Sequence, residues 1–171
     1  IMMWLRKSTA EDTIVTFGAG NYTQWVQRYF GYTKFGNQMA TQSAIMGYSV
    51  PAAISASLLY PERTILSFAG DGCFLMNGQE ITVAIQESLT VIFVVLNDAA
   101  LGMVKHGQKL TGAEEIGAML PSVNFSDMAK SMGAAAYRIE SAEQLEALDF
   151  SAICKLKGPT LLDILIDVIE D

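Results

Sequence analysis

The chain is 171 residues long, 51% hydrophobic and 17% charged, with a formal net charge of −7 and an isoelectric point near 4.6. This length suits a single domain with a sizeable core, and the composition excludes a disordered chain. The acidic balance and the scatter of the 11 Lys and Arg residues oppose general binding to nucleic acid or an anionic membrane, which needs a basic patch.

In chain order, TIVTFG (13–18) is the first predicted strand, a β-branched apolar run that ends in glycine. From Phe35 to Pro61 no residue is charged, a length that could span a bilayer. Asn37, Gln38, Thr41, Gln42 and Ser49 lie within it, and their polar groups would be unpaired in lipid. The stretch is read instead as a buried loop running into a core helix, PAAISASLLY, with Pro51 in its first turn. RTILSFAG (63–70) is the next strand. LMNGQEITVAIQES (75–88) has a broad apolar face at helical spacing, and its helix is expected to start near Phe74. VIFVVLN (91–97) is a strand, and NFSDMAKSMG (124–133) is a helix with Asn124 as cap and Gly133 as stop. AAAYRIE (134–140) is a further strand candidate, SAEQLEAL places Ser141 and Gln144 at capping-box spacing, and PTLLDILID (159–167) closes the series.

Strands that are apolar throughout are covered on both faces, and their alternation with helices predicts an α/β fold, a parallel sheet with helices on both faces. One domain, 1–171, is expected, with no internal repeat or linker. Strand order is not legible in this pattern. Cys73 and Cys154 have no CxxC partner, which points to a reducing, cytoplasmic setting. No signal peptide is visible in IMMWL. The opening on Ile1 rather than Met leads to the expectation of a piece cut from something longer.

Three strands end in Gly or Asn followed by small residues: FGAGN, FAGDG and LNDAALG. In parallel sheets ligands bind outside the carboxyl ends of the strands, so these loops are expected to form a polar crevice. The 24 residues from 73 to 96 accommodate one helix and one strand. Asp71 and Asn97 thus end successive strands, and their side-chain oxygens can converge on one hard cation. Mg²⁺ takes few protein oxygens and completes its shell with phosphate. Gly72 allows close backbone approach, and the N–H groups of the following helix suit an anion. A metal-bridged diphosphate satisfies all of these features. The plainer reading makes Asp71 a helix cap and Asn97 a turn residue.

The Gly70-Asp71-Gly72 motif, followed after 24 residues by Asn97, resembles the thiamine diphosphate motif of enzymes that decarboxylate or ligate 2-oxo acids. IMGYSVPAAISA resembles the preceding segment of acetolactate synthases and benzoylformate decarboxylase-like enzymes, and LNDAALGMVKHGQ the following segment of acetolactate synthases, so the likeness covers most of residues 5–165. It implies that Asp71 and Asn97 bind Mg²⁺ through side-chain oxygens and Ala99 through its carbonyl. Cys73 takes a diphosphate-contacting position, Gly20, Asn21 and Tyr22 match a loop on its other side, and Gly102 and Met103 close the site with backbone groups. Met46 matches an apolar wedge that bends the cofactor, and Ala44 and Met46 would meet the pyrimidine edge through the backbone. Catalytic residues are not expected on this chain. The family takes its activating glutamate from a pyrimidine-binding domain, usually on a partner subunit, and nothing here matches that domain.

The resemblance implies a homo-oligomer acting on a 2-oxo acid by decarboxylation and carboligation. Gly107 departs from it, since many biosynthetic acetolactate synthases have Trp there. Simple 2-oxo acid decarboxylation therefore stays open, as does a non-catalytic assembly module. His106, the single histidine, is not assigned chemistry. A nicotinamide-binding domain is disfavoured because FGAGNYTQ lacks the third glycine of GxGxxG.

Overall fold

The computed structural model describes residues 1–167. Six strands form one sheet: β1 (Ile14–Phe17), β2 (Gln38–Ala40), β3 (Ile65–Gly70), β4 (Ile92–Asn97), β5 (Ala135–Ile139) and β6 (Thr160–Leu165). Their spatial order is β2-β1-β3-β4-β6-β5, and every pairing is parallel. β1, β3, β4 and most of β6 are buried, as their unbroken apolar sequences require. The five strands read from sequence are all present. Strand β2 is an addition, a short edge strand without a β-branched residue to announce it.

Helices flank the sheet: α1 (Met2–Lys7), α2 (Tyr22–Tyr29), α3 (Ser49–Leu59), α4 (Asp71–Asn77), α5 (Ile81–Gln86), α6 (Gly102–Thr111), α7 (Phe125–Met132), α8 (Ala142–Glu146) and α9 (Phe150–Ile153). Helix α3 buries seven of its 11 residues and packs on β1 and β3. The expected caps of α7 are present: Asn124 Oδ1 accepts from Asp127 N at 3.0 Å, and Gly133 adopts a left-handed φ of 102°. At α8, Ser141 Oγ accepts from Gln144 N at 3.3 Å. The reciprocal half of that box is displaced by one residue, since Gln144 Oε1 accepts from Glu140 N at 2.7 Å.

Two expectations need correction. The helix placed near Phe74 begins three residues earlier, at Asp71, and a single 3₁₀ turn at Gly78–Glu80 separates it from α5. The loop before α3 is not buried. Phe35 is fully exposed, Ile45 is 55% exposed, and residues 41–46 are exposed or half-buried. A loop beyond the end of a sheet has no strand neighbour to pair its backbone, so it stays in contact with water. Among the described residues, no helix is long and apolar enough to cross a membrane.

Candidate functional site

The chain leaves β1 toward β2 on one side, whereas β3 leads to β4 on the other. This reversal between β1 and β3 opens a crevice at their carboxyl ends, the position where doubly wound sheets bind ligands. A cavity of about 930 Å³ occupies it. Gly20, Asn21, Tyr22, Ala44, Met46, Gly70, Asp71, Gly72, Cys73, Gly102 and Met103 all line this cavity. The three glycine- or asparagine-ended loops thus converge, but the crevice is lined mainly by apolar surface rather than polar as expected, because Met2, Met3, Trp25, Leu101 and Met103 also face it.

Close contacts explain how the loops are held. A Cβ on Gly18 would lie 2.8 Å from the carbonyl oxygen of Ile45, so only glycine lets the β1 loop approach the 41–47 loop this closely. Gly18 N donates to the Tyr22 hydroxyl at 3.0 Å, and burial pushes that phenol's pKa far above its ordinary value. Cys73 Sγ donates to the carbonyl of Ala19 at 2.8 Å, tying α4 to the β1 loop. The Asn21 side chain does not cap α2. It lies instead against α6, with Nδ2 3.3 Å from a Cβ built on Gly102. Met46 Cε is 3.6 Å from a Cβ built on Gly72, which brings the proposed wedge beside the Gly-Asp-Gly turn.

Asp71 is 3% exposed. Its Oδ1 accepts from Gly72 N at 2.6 Å, and its Oδ2 accepts from Ala100 N at 3.1 Å. Burial pushes its carboxyl up to about 6, aided by the like charge of Asp98 and opposed by the N–H groups of Gly72, Ala100 and Ala99. Among the described residues, none of the groups acting on this carboxylate is a cation. A buried acid stabilised only by dipoles favours a cation next to it. Asp98 is itself raised, chiefly by burial.

Register places Gly70 opposite Leu96, so Asp71 and Asn97 follow at adjoining strand ends. Asn97 Nδ2 donates to Asp163 Oδ1 at 2.9 Å and to the carbonyl of Val123 at 3.1 Å. The carbonyl of Ala99 accepts from Leu120 N at 2.7 Å. Asn97 and Ala99 do not line the large cavity but a neighbouring one of about 350 Å³, and Asp98 lines both. Ala99 (φ 53°) and Ala44 (φ 48°) are two of three non-glycine residues with left-handed backbone among those described. Such strain collects at binding sites.

Carboxylate, amide and main-chain carbonyl oxygens are a donor set of the hard kind that Mg²⁺ prefers. Among the described residues, no group of three or more His, Cys, Asp or Glu side chains is placed to hold a metal. A cation here would therefore need oxygens from a ligand, as a diphosphate supplies. Sequence reading passed over two residues of this region. Asn77 donates to the carbonyl of Gly47 at 3.1 Å, pinning the 41–47 loop to α4, and Asp163 holds the Asn97 amide. Neither belongs to a local motif, and each acts across at least 30 residues of chain.

Comparison with known proteins agrees with this geometry. Residues 18–164 match the family "Thiamine pyrophosphate enzyme, C-terminal TPP binding domain". The chain is 32% identical over 165 residues to the "Putative thiamine pyrophosphate-containing protein YdaP" of Bacillus subtilis, covering 95% of this chain and 28% of that protein. It is 29% identical over 163 residues to acetolactate synthase isozyme 2 large subunit of Escherichia coli, covering 94% and 30%. An X-ray structure of "a putative thiamin diphosphate-dependent enzyme" from Mycobacterium smegmatis superposes with a TM-score of 0.83 at 25% identity, covering 99% of this chain and 31% of that one. The chain thus spans less than a third of the length of these relatives. With 147 of its 171 residues matched and the crevice at the β1/β3 reversal, the chain belongs to the thiamine pyrophosphate enzyme family, as its C-terminal TPP-binding domain.

Proposed function

We propose that this domain holds the diphosphate of thiamine diphosphate through Mg²⁺ within a longer, acetolactate synthase-like enzyme that decarboxylates and joins 2-oxo acids. The observation that carries the reading is Asp71, a buried carboxylate without a cationic partner among the described residues, at the mouth of the β1/β3 crevice. Asp71 and Asn97 would ligate the metal through side-chain oxygens and Ala99 through the second lone pair of its carbonyl. Gly20, Asn21, Tyr22, Gly70, Gly72 and Cys73 would surround the diphosphate, with Gly102 and Met103 closing over it. Ala44 and Met46 would hold the pyrimidine end.

When bound, thiamine diphosphate supplies the carbanion chemistry that breaks and forms bonds at a 2-oxo carbon, while the protein supplies orientation and electrostatics. This chain's share of that work is to fix the charged end of the cofactor and to shape the wall beside Met46. The activating glutamate would come from a pyrimidine-binding domain, in a cytoplasmic homo-oligomer. Calorimetry of thiamine diphosphate with and without Mg²⁺ tests the reading. Metal-dependent binding supports it, and equal binding without metal refutes the metal assignment.

One observation favours keeping simple 2-oxo acid decarboxylation as a second reading. Gly107 faces open space, with nothing within 4 Å of a Cβ built there, so no bulky residue at this position narrows a pocket for a second oxo acid. Product analysis of the full-length enzyme with pyruvate separates the two, since carboligation gives acetolactate and decarboxylation gives acetaldehyde.

A further inference from the structure

Asp163 is 0% exposed on β6, an interior strand between β4 and the edge strand β5. It stands opposite Val95 of β4 and Arg138 of β5 in register. Asn97 lies two residues beyond Val95, hence on the same face of the sheet as Asp163. The carboxylate accepts three hydrogen bonds: from Asn97 Nδ2 at 2.9 Å, from Phe125 N at 3.0 Å, and from Arg138 Nη1 at 2.9 Å. Arg138 is braced in turn by Glu140, with Nε to Oε1 at 3.0 Å.

An asparagine side chain has one donor end and one acceptor end. At Asn97 the two neighbours on one side, Asp163 Oδ1 and the Val123 carbonyl, are both acceptors. An ionised carboxylate is acceptor-only, so only the NH₂ end of Asn97 satisfies it. Turning the amide over would set an oxygen against the buried Asp163 carboxylate and the half-buried Val123 carbonyl, which leaves acceptors facing one another without a donor. The amide oxygen is thereby forced to the opposite side, away from Asp163.

We infer that Asp163, anchored by Arg138 and the Phe125 N–H, is a positioning residue that fixes the Asn97 amide so that its oxygen, not its nitrogen, faces a divalent cation bound beside Asp71. The inference rests on the reading of Asn97 as a cation ligand. It assigns a role to a buried charge that a sheet core does not otherwise require.

The test uses Mn²⁺ as the probe, titrated into the full chain with thiamine diphosphate and followed by the loss of the free-Mn²⁺ paramagnetic resonance signal. Asp163→Asn is nearly isosteric, and its oxygen can keep Phe125 N and Arg138. Its introduced NH₂ group then meets the NH₂ of Asn97 and turns that amide over. Mn²⁺ affinity should fall by about 10–100-fold, the range seen when groups orienting a metal ligand are lost. Combining Asp163→Asn with Asn97→Asp restores the match to the residue at 163 and returns an oxygen to the cation side. Because the added carboxylate attracts Mn²⁺ by charge alone, the comparison is with Asn97→Asp by itself. The positioning role predicts that Asp163→Asn costs affinity in the Asn97 background and costs little in the Asn97→Asp background, whereas a merely structural role predicts the same loss in both.

Asn97→Ala separates this inference from the reading beneath it. If Asn97→Ala binds Mn²⁺ as tightly as wild type, Asn97 is not a ligand and both fall. If Asn97→Ala is weakened but folded Asp163→Asn is not, only the positioning role is overturned. Should Asp163→Asn fail to fold, the wild-type chain gives the answer by nitrogen-15 NMR. The Asn97 side-chain NH₂ protons should exchange slowly with water before any metal is added. Exchange as fast as that of an exposed asparagine would overturn the inference.

Discussion

Asp71 Oδ2 accepts a hydrogen bond from Ala100 N at 3.1 Å, so one carboxylate ties the first residue of α4 to the loop that follows β4. That contact crosses between neighbouring strands and leaves the acid buried without a cation among the described residues. Replacing Asp71 by Ala removes the single formal anion among the proposed metal ligands. Mg²⁺-dependent binding of thiamine diphosphate should disappear, while the fold persists, because relief of a buried charge offsets the two lost hydrogen bonds. Calorimetry and circular dichroism on the same sample check both halves. Wild-type affinity in magnesium would falsify the metal assignment.

The same carboxylate sets a pH dependence in the cofactor-free chain. Its pKa is raised from 3.8 to about 6, so the folded state binds this proton more tightly than the unfolded state does. Its contribution is therefore complete below about pH 4 and is lost as pH rises through 6. The size is about 3 kcal/mol at most, from roughly two units at 1.4 kcal/mol each. Urea denaturation from pH 4 to 7.5 should show wild type losing stability relative to Asp71→Ala over this window. Saturating Mg²⁺ and thiamine diphosphate should abolish the difference in slope in wild type, because the cation then replaces the proton. Parallel profiles without ligand would contradict the assignment.

Two glycines make opposite predictions. A Cβ at Gly18 collides with the backbone carbonyl of Ile45 at 2.8 Å, so Gly18→Ala must displace the 41–47 loop. It should destabilise the chain by about 1–3 kcal/mol, the usual cost of overpacking, and weaken cofactor binding as well. Gly107 lies inside helix α6 with open space around it. Gly107→Ala should stabilise that helix by about 0.5–1 kcal/mol. Thermal melts of both variants decide, and a stabilising Gly18→Ala would remove the argument for close approach.

The sequence-legible parts of this fold are those governed by local rules. Unbroken apolar runs announced β1, β3, β4 and β6, and the Asn124 and Gly133 caps announced α7. The site loops were legible because the motif Gly70-Asp71-Gly72 and Asn97 occupies strand ends at a fixed spacing. What escaped depends on neighbours distant in sequence. Strand β2, with exposed Gln38 and half-buried Met39 and Ala40, exists because β1 offers a free edge. Helix α6 has no buried residue and so shows no core-facing stripe. Asp163 reads as one acid in an apolar strand, and its partners Asn97 and Arg138 come from two other strands.

Helix α6 and the loop after it carry the next prediction. Met103, which lines the crevice, is 59% exposed, Leu110 73%, Ile116 68% and Met119 56%, apolar side chains that single-chain folding does not cover. Surfaces of this kind mark contact sites. Sedimentation of the isolated chain should show concentration-dependent self-association, and Leu110→Glu should reduce it. A monomer across a wide concentration range would count against an interface here.

The last prediction concerns turnover. The 171-residue chain alone should release no carbon dioxide from any 2-oxo acid, even with Mg²⁺ and thiamine diphosphate saturating. Activation of the cofactor needs an acid at its pyrimidine end, which the proposed pose places beside Ala44 and Met46. Residues 35–61 contain no charge at all. Among the described residues, the carboxylates lining the cavity are Asp71, Asp98 and Asp167. In the proposed pose Asp71 would be committed to the metal, with Asp98 flanking it at the diphosphate end. Asp167 follows β6, which β3 and β4 separate from β1 in the sheet, whereas the 41–47 loop approaches the β1 end at Gly18. Proton transfer by a placed acid is worth about 10²–10⁴-fold, and loss of orientation at the pyrimidine would reduce the rate further. Supplying a pyrimidine-binding domain with its glutamate, in cis or as a separate polypeptide, should restore carbon dioxide release from pyruvate or a related acid. Steady turnover by the purified chain, abolished by Asp71→Ala, would show instead that this domain carries a complete site.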